Sequence, residues 1–213
     1  MTASAPRVFP VAQPAERFVT GLVLGAGGSR RLGEPKQLLS YGSGTLLGHT
    51  LDTARASGFD QLIVALGGGS AEVRRRVDLQ SITVVENPDY GEGCSSSIAA
   101  GLSALDPRCD LLVLLLGDQP GVTPATVRKL IGGTRAGTML AVCRYDDGRG
   151  HPLAFGRGLF AELGGLHGDK AVWKLMDRFA DEVVEVRVPG PIPPDVDTRE
   201  DYEAILAEAG TSA

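Results

Sequence analysis

The sequence predicts an α/β fold of three layers, with helices on both faces of a mostly parallel central sheet. Three observations carry this expectation. Apolar runs of strand length alternate with segments of helical period along most of the 213 residues. The most apolar run, 111–116, shows no polar alternation, as in a central strand covered on both faces. Glycine, at 29 residues, is roughly twice its usual share. It clusters in loops, where the backbone must come close to something, and does not repeat along the chain.

In chain order, residues 19–24 read as the first strand and 25–44 as a glycine-rich loop. A helix over 45–57 follows, with Thr45 as its N-cap. Residues 61–66 form the second strand, 67–69 a glycine turn, and 70–77 a short helix capped by Ser70. Residues 82–85 and 110–116 are the third and fourth strands, separated by a helix over 95–105. Thr123 caps a helix over 123–131, with Pro124 at the first helical position, where a missing N–H costs nothing. Beyond 131 the rhythm changes. Strands over 138–144 and 152–155 flank a polar turn at 146–150, and helices follow over 157–163 and 170–179. A strand over 183–188 leads through the proline-rich stretch 189–194 to a closing helix over 198–208. Residues 1–16 contain Pro6, Pro10 and Pro14 and no apolar segment, so they read as a tail and not a signal peptide. Residues 17–210 read as one domain.

Composition narrows the function. With 43% hydrophobic and 22% charged residues the chain can bury a sizeable core, and disorder throughout is excluded. A net charge of -5 argues against a general nucleic-acid binder. The run 111–116 falls far short of the ~20 apolar residues that span a bilayer, so no membrane association is expected. The cysteines, Cys94, Cys109 and Cys143, are odd in number and lack a C-x-x-C spacing. That speaks against a disulfide framework or a thiolate metal cage, and for a cytoplasmic protein.

Five segments carry chemistry. The first is Leu24-Gly25-Ala26-Gly27-Gly28-Ser29-Arg30-Arg31-Leu32-Gly33-Glu34-Pro35-Lys36, directly after the first strand. In a parallel sheet, ligands bind beyond the carboxyl ends of strands. Glycines let backbone N–H groups approach phosphate oxygens, and Arg30, Arg31 and Lys36 can neutralise their charge. Two other phosphate loops fail: G-x-G-x-x-G needs Gly where Arg30 stands, and G-x-x-x-x-G-K-[ST] needs Lys where Glu34 stands. A solvated glycine turn would give the same pattern. The second segment is Gly117-Asp118-Gln119-Pro120 at the end of the most apolar strand, where Asp118 offers a hard oxygen ligand for Mg²⁺ or merely caps a turn.

The third is Asp195-Val196-Asp197-Thr198. Thr198 with Asp201 makes a pair like a capping box, which leaves two alternating carboxylates unexplained; Asp197 could be a second metal ligand. The fourth is Asn87-Pro88 with Gly93-Cys94-Ser95-Ser96-Ser97, small residues before a helix that could seat a base or phosphate, or form an ordinary serine cap. The fifth is Arg149-Gly150-His151-Pro152, where His151 is an acid–base candidate or a hydrogen-bonded loop residue. His49 and His167 have no partner at a telling spacing.

Together these segments resemble the molybdenum cofactor nucleotidyltransferases. The string 24–36 is similar to that family's L-A-[AG]-G-x-S-x-R-M-G-x-x-K, with Gly27, Ser29, Arg31, Gly33 and Lys36 in register. Asn87-Pro88 with 93–102, Gly117–Pro120, Gly150–Pro152 and Asp195–Thr198 with Glu200-Asp201-Tyr202 match its other motifs in order, over 19–206. Gly-Asp-Gln-Pro with Gly-His-Pro resembles the cytidylyltransferase branch, and Ala26 stands where the guanylyltransferase branch carries Gly. Gly25 replaces the usual Ala, Cys94 the usual Met, and Trp173 an Arg.

The resemblance implies a Rossmann-like nucleotidyltransferase fold and transfer of CMP from CTP to the phosphate of molybdopterin, with Mg²⁺ as cofactor and pyrophosphate as leaving group. An acceptor phosphate is already ionised near neutral pH, so no protein nucleophile is needed, and the chain shows no Ser–His–Asp or Cys–His set. Asp118 and Asp197 are assigned to the metal, and Lys36 and Arg31 to the phosphates. Gly25, Ala26, Gly27, Gly28 and Ser29 hold the nucleotide, Gly93 and Ser97 seat base or ribose, and His151 faces the acceptor. A client molybdoenzyme would receive the product. The alternatives are a transferase of the same fold acting on a sugar or alcohol phosphate, and a non-catalytic chaperone for the finished cofactor.

Overall fold

The structure, a computed structural model, describes residues 17–27 and 32–211. The tail over 1–16 and the loop residues Gly28, Ser29, Arg30 and Arg31 lie outside the described residues.

Strand β1 (Val19–Gly25) opens the chain. A 3-10 turn (Lys36–Leu38) and a short hairpin of β2 (Ser40–Tyr41) and β3 (Gly44–Thr45) interrupt the expected loop. Helix α1 (Leu46–Arg55) is capped by Thr45, whose hydroxyl accepts from the Gly48 N–H at 3.1 Å. Next come β4 (Gln61–Leu66), α2 (Ser70–Arg76), β5 (Thr83–Glu86), α3 (Cys94–Leu102) and β6 (Leu111–Leu116). Helix α4 (Pro124–Gly132) carries the expected Thr123 cap, accepting from the Thr126 N–H, with Pro124 in its first turn. The rest is β7 (Leu140–Arg144), β8 (Arg149–Gly156), α5 (Phe160–Gly164), α6 (Ala171–Arg178), β9 (Val183–Arg187) and α7 (Arg199–Thr211).

Two local expectations are corrected. Ser70 does not cap α2: Gly69 holds the cap position, and the Ser70 hydroxyl donates to Glu86 at 3.2 Å instead. The polar turn expected over 146–150 is shorter, because β8 already begins at Arg149, whose exposed partner Glu185 lets a charged residue sit in the strand.

The sheet order is β5-β4-β1-β6-β8-β7-β9. All neighbours run parallel except β8, which is antiparallel to both β6 and β7. Side-chain alternation feeds two cores. Val19 and Val23 of β1 and Leu111, Val113 and Leu115 of β6 join α1, α2 and α4 on one face. Leu22, Leu112 and Leu114 join α3, α5 and α6 on the other. Full burial of each such side chain contributes roughly 1.5–3 kcal/mol, which is why β6 needs no polar position along its length.

From β1 the chain moves outward to β4 and β5, then returns to β6 on the far side of β1. Crossovers therefore leave β1 and β6 in opposite directions, and a crevice opens beyond their carboxyl ends. A third apolar cluster (Leu32, Leu39, Leu46, Val196, Tyr202 and Ile205) fastens α7 beside that crevice. The Tyr202 hydroxyl donates to the Ser40 carbonyl at 2.6 Å.

Candidate functional site

A cleft of about 630 Å³ occupies the crevice. Gly25, Ala26, Gly27, Lys36, Gly93, Ser97, Asp118, His151 and Asp197 all line it, so nine sequence-predicted site residues from five separate segments meet in one place. Gly28, Ser29 and Arg31 fall among the residues not described.

The floor is backbone. Gly117 donates its N–H to the Leu24 carbonyl at 2.9 Å, and a Cβ there would stand 2.8 Å from that oxygen. The two strand ends thus touch with no side chain between them. Gln37 is buried beneath the loop and donates from one amide nitrogen to the carbonyls of Gly25 and Gly27, both at 2.9 Å. These bonds occupy both carbonyls and fix the backbone of the loop at the cleft floor. Ala26 lines the cleft although only 6% of it is exposed.

The charged centre is Lys36. Its ammonium pairs with Asp118, with Asp197 at 2.9 Å, and with the Val196 carbonyl at 3.1 Å. Burial alone would lower its pKa, but the neighbouring Asp118 and Asp197 carboxylates outweigh that and raise it. Asp195 stands close by and accepts from the Gln119 amide at 3.2 Å; burial, then the Asp118 and Asp197 charges, push its carboxyl pKa up. The segment carrying Asp197 is held over the strand end by the Val196 N–H, which donates to the Asp118 carbonyl at 3.0 Å. The pair read from sequence as a capping box is one: the Thr198 N–H donates to Asp201 at 2.7 Å and the Asp201 N–H to the Thr198 hydroxyl at 3.2 Å.

At the other end of the cleft, Asn87 donates to the Ser96 and Ser97 hydroxyls, each at 2.9 Å. Ser97 therefore fixes Asn87 while lining the cleft. Gly93 has φ +102°, and a Cβ on it would lie 2.7 Å from Asp169. The Cys94 N–H donates to the Asp169 carboxylate at 2.9 Å, and its thiol to the Asp169 carbonyl at 3.1 Å. Burial and that carboxylate push the Cys94 thiol pKa up, which makes it a poor nucleophile. His151 meets the Trp173 ring edge-on at 5.7 Å, and burial lowers its pKa to about 4. The imidazole is neutral at neutral pH, so it can donate or accept one hydrogen bond but cannot neutralise a phosphate.

Sequence reading missed Gln37 as the loop clamp, Tyr90 and Asp169 as lining residues, and Asp195 as the third carboxylate. The Asp195 signal was present in the alternation Asp195-Val196-Asp197. Among the described residues no cluster of three or more His, Cys, Asp or Glu side chains is arranged to hold a metal. Asp118 and Asp197 nevertheless converge on a single cation, Lys36. Two hard carboxylates are the protein share that Mg²⁺ usually takes, with water and substrate phosphates completing its shell.

Comparisons with known proteins agree with this geometry. Residues 21–183 match the MobA-like NTP transferase domain. Nicotine blue oxidoreductase of Paenarthrobacter nicotinovorans is 35% identical over 66% of this chain and 72% of its own. The molybdenum cofactor cytidylyltransferase of Escherichia coli is 29% identical over 62% of this chain and 67% of its own. The bifunctional protein GlmU of Cupriavidus pinatubonensis is 33% identical over 55% of this chain, which spans only 27% of that longer protein. Among solved structures, Rv0371c of Mycobacterium tuberculosis in complex with manganese is 48% identical, with TM-score 0.80 over 89% of this chain and 98% of that one. A nucleotidyl transferase from Methanothermobacter thermautotroptrophicus is 25% identical, with TM-score 0.79 over 92% of this chain and 99% of that one. With a matching fold, and with this cleft at the switch point of its sheet, the chain belongs to the MobA-like NTP transferase family and is a nucleotidyltransferase.

Proposed function

We propose that the chain transfers CMP from CTP to the terminal phosphate of molybdopterin and releases pyrophosphate. The observation that carries this reading is the meeting of Lys36, Asp118 and Asp197 at the mouth of a glycine-floored cleft whose thiol and imidazole are unsuited to attack. The acceptor phosphate brings its own nucleophilic oxygen, so the protein's task is alignment and charge neutralisation. The choice of CTP and molybdopterin is supported by the cytidylyltransferase relative and by Ala26 among the residues lining the cleft.

Residue by residue, the Gly25–Gly27 backbone, with the adjoining Gly28 and Ser29, receives the triphosphate. Lys36 and Arg31 balance its charge, and Gly93 and Ser97 border the base and ribose. Neutral His151, held against Trp173, offers a hydrogen bond to the acceptor. Asp118 and Asp197 would hold a divalent ion, Mg²⁺ or Mn²⁺, which supplies electrostatic stabilisation of the transferring phosphoryl group. The product would pass to a client molybdoenzyme.

The test is pyrophosphate release with CTP, GTP, ATP and UTP, with and without molybdopterin, scored also by product mass. Release with CTP that depends on molybdopterin, and a cytosine dinucleotide product, are expected. Release that instead depends on a sugar phosphate would assign the acceptor to the chemistry of the GlmU relatives. Binding of molybdopterin without pyrophosphate release would make the chain a carrier.

A further inference from the structure

Lys36 presents a conflict that its neighbours resolve. For transfer, its ammonium is wanted on the triphosphate, and Asp118 and Asp197 are wanted on a metal. In the structure Lys36 pairs with both carboxylates. A lysine ammonium has three N–H donors, and Asp118, Asp197 and the Val196 carbonyl are three acceptors within reach. The stem is placed for this: it passes beneath Gly27, where a Cβ would stand 3.0 Å from the Lys36 Cε. The arrangement is graded in depth, with the Lys36 and Asp118 side chains 12% and 19% exposed and that of Asp197, on the rim, 59% exposed.

We propose that Lys36 is a built-in counter-ion for the Asp118–Asp197 pair, and that it changes partners when a nucleoside triphosphate arrives. This deepens the reading in which the two aspartates hold a divalent ion. Without nucleotide, Lys36 occupies the carboxylates and a divalent ion must compete with a tethered cation for both. Release toward the rim, where Asp197 is exposed, lets Lys36 carry its charge to the phosphates while the aspartates become free to ligate. Lys36 never loses an anionic partner in the exchange, and the carboxylates are never left without a cation. The consequence is order: a divalent ion alone binds weakly, and a divalent ion delivered with a triphosphate binds well.

The experiment titrates the full chain with Mn²⁺ alone, without nucleotide, and reads free Mn²⁺ by electron paramagnetic resonance. Lys36→Met removes the competing cation, so Mn²⁺ should bind about tenfold tighter or more, the scale of one lost charge-assisted hydrogen bond. Lys36→Gln should do the same and serves if Lys36→Met does not fold. Lys36→Arg keeps the cation and should leave Mn²⁺ binding weak, which a mere loosening of the loop would not. Equal or weaker Mn²⁺ binding in the Met and Gln variants overturns the inference. Adding Asp118→Asn to Lys36→Met separates this from an error in the metal assignment. Loss of the gain in the double variant keeps the ion at the aspartates. A gain that persists there removes the ion from Asp118, and the inference falls with the assignment.

Discussion

Asp118 leaves the end of β6 with its side chain 19% exposed and spent on Lys36, not on packing. Asp118→Ala should therefore fold, keep its melting temperature within a few degrees, and lose turnover. Removing one hard ligand costs on the order of several kcal/mol at the phosphoryl group, so kcat should fall about a thousandfold; near-normal turnover at ordinary Mg²⁺ would remove Asp118 from the metal. Gln37, buried at the cleft wall, holds the loop backbone. Gln37→Ala unpairs the Gly25 and Gly27 carbonyls, each bond being worth about 1 kcal/mol. The expected outcome is a lower melting temperature together with a KM for nucleotide that rises more than kcat falls. On the proposed function, Ala26, which lines the cleft, would bear on base choice. Ala26→Gly should shift product mass partly toward the guanine dinucleotide when CTP and GTP compete in equal amounts, and an unchanged ratio would place base selection elsewhere. The charged members of this set were legible as residue types at strand ends. Gln37 was not, because a glutamine inside Lys36-Gln37-Leu38-Leu39 carries no pattern until the chain folds back over β1.

Among the elements, the entry to α3 is the most constrained. Gly93 combines φ +102° with an Asp169 oxygen 2.7 Å from where a Cβ would stand. Gly93→Ala should cost about 1–3 kcal/mol of stability and displace the Cys94–Asp169 hydrogen bonds. Gly91→Ala, two residues earlier with nothing within 4 Å of its Cβ, should leave the melting temperature unchanged. Equal effects of the two would mean that the close approach does not matter. The long elements could be read in advance for physical reasons. Buried strands such as β6 carry uninterrupted aliphatic residues, and helices α1 and α4 carry threonine caps that only a helix start explains. The hairpin of β2 and β3 could not, since two-residue strands have no period to detect. The Ser70 cap was misread because serine before a helix is ambiguous: its hydroxyl went to Glu86 across the space between α2 and β5. Asp195 and Asp197 lie far from Asp118 in sequence, and only the path of the chain over the sheet brings their charges together.

For the whole molecule, acid sensitivity follows from His151. Burial lowers its pKa from 6.5 to about 4 in the folded chain. Between those values the unfolded chain binds a proton that the folded chain refuses, so stability falls as pH falls through that window and is complete above it. His151→Gln should flatten the decline in melting temperature over the same range; an identical slope would assign the decline to other groups. The path of the chain after β9 has a different consequence. All seven strands of the main sheet end by Arg187, yet Asp197 comes ten residues later and is fixed over β6 through Val196. A nascent chain emerging from its N-terminus thus completes its architecture before its chemistry. The strands can therefore pair before the segment carrying Asp197 is in place, and the cleft gains its second carboxylate only when that segment and α7 pack onto the finished scaffold, with Tyr202 bonded to Ser40.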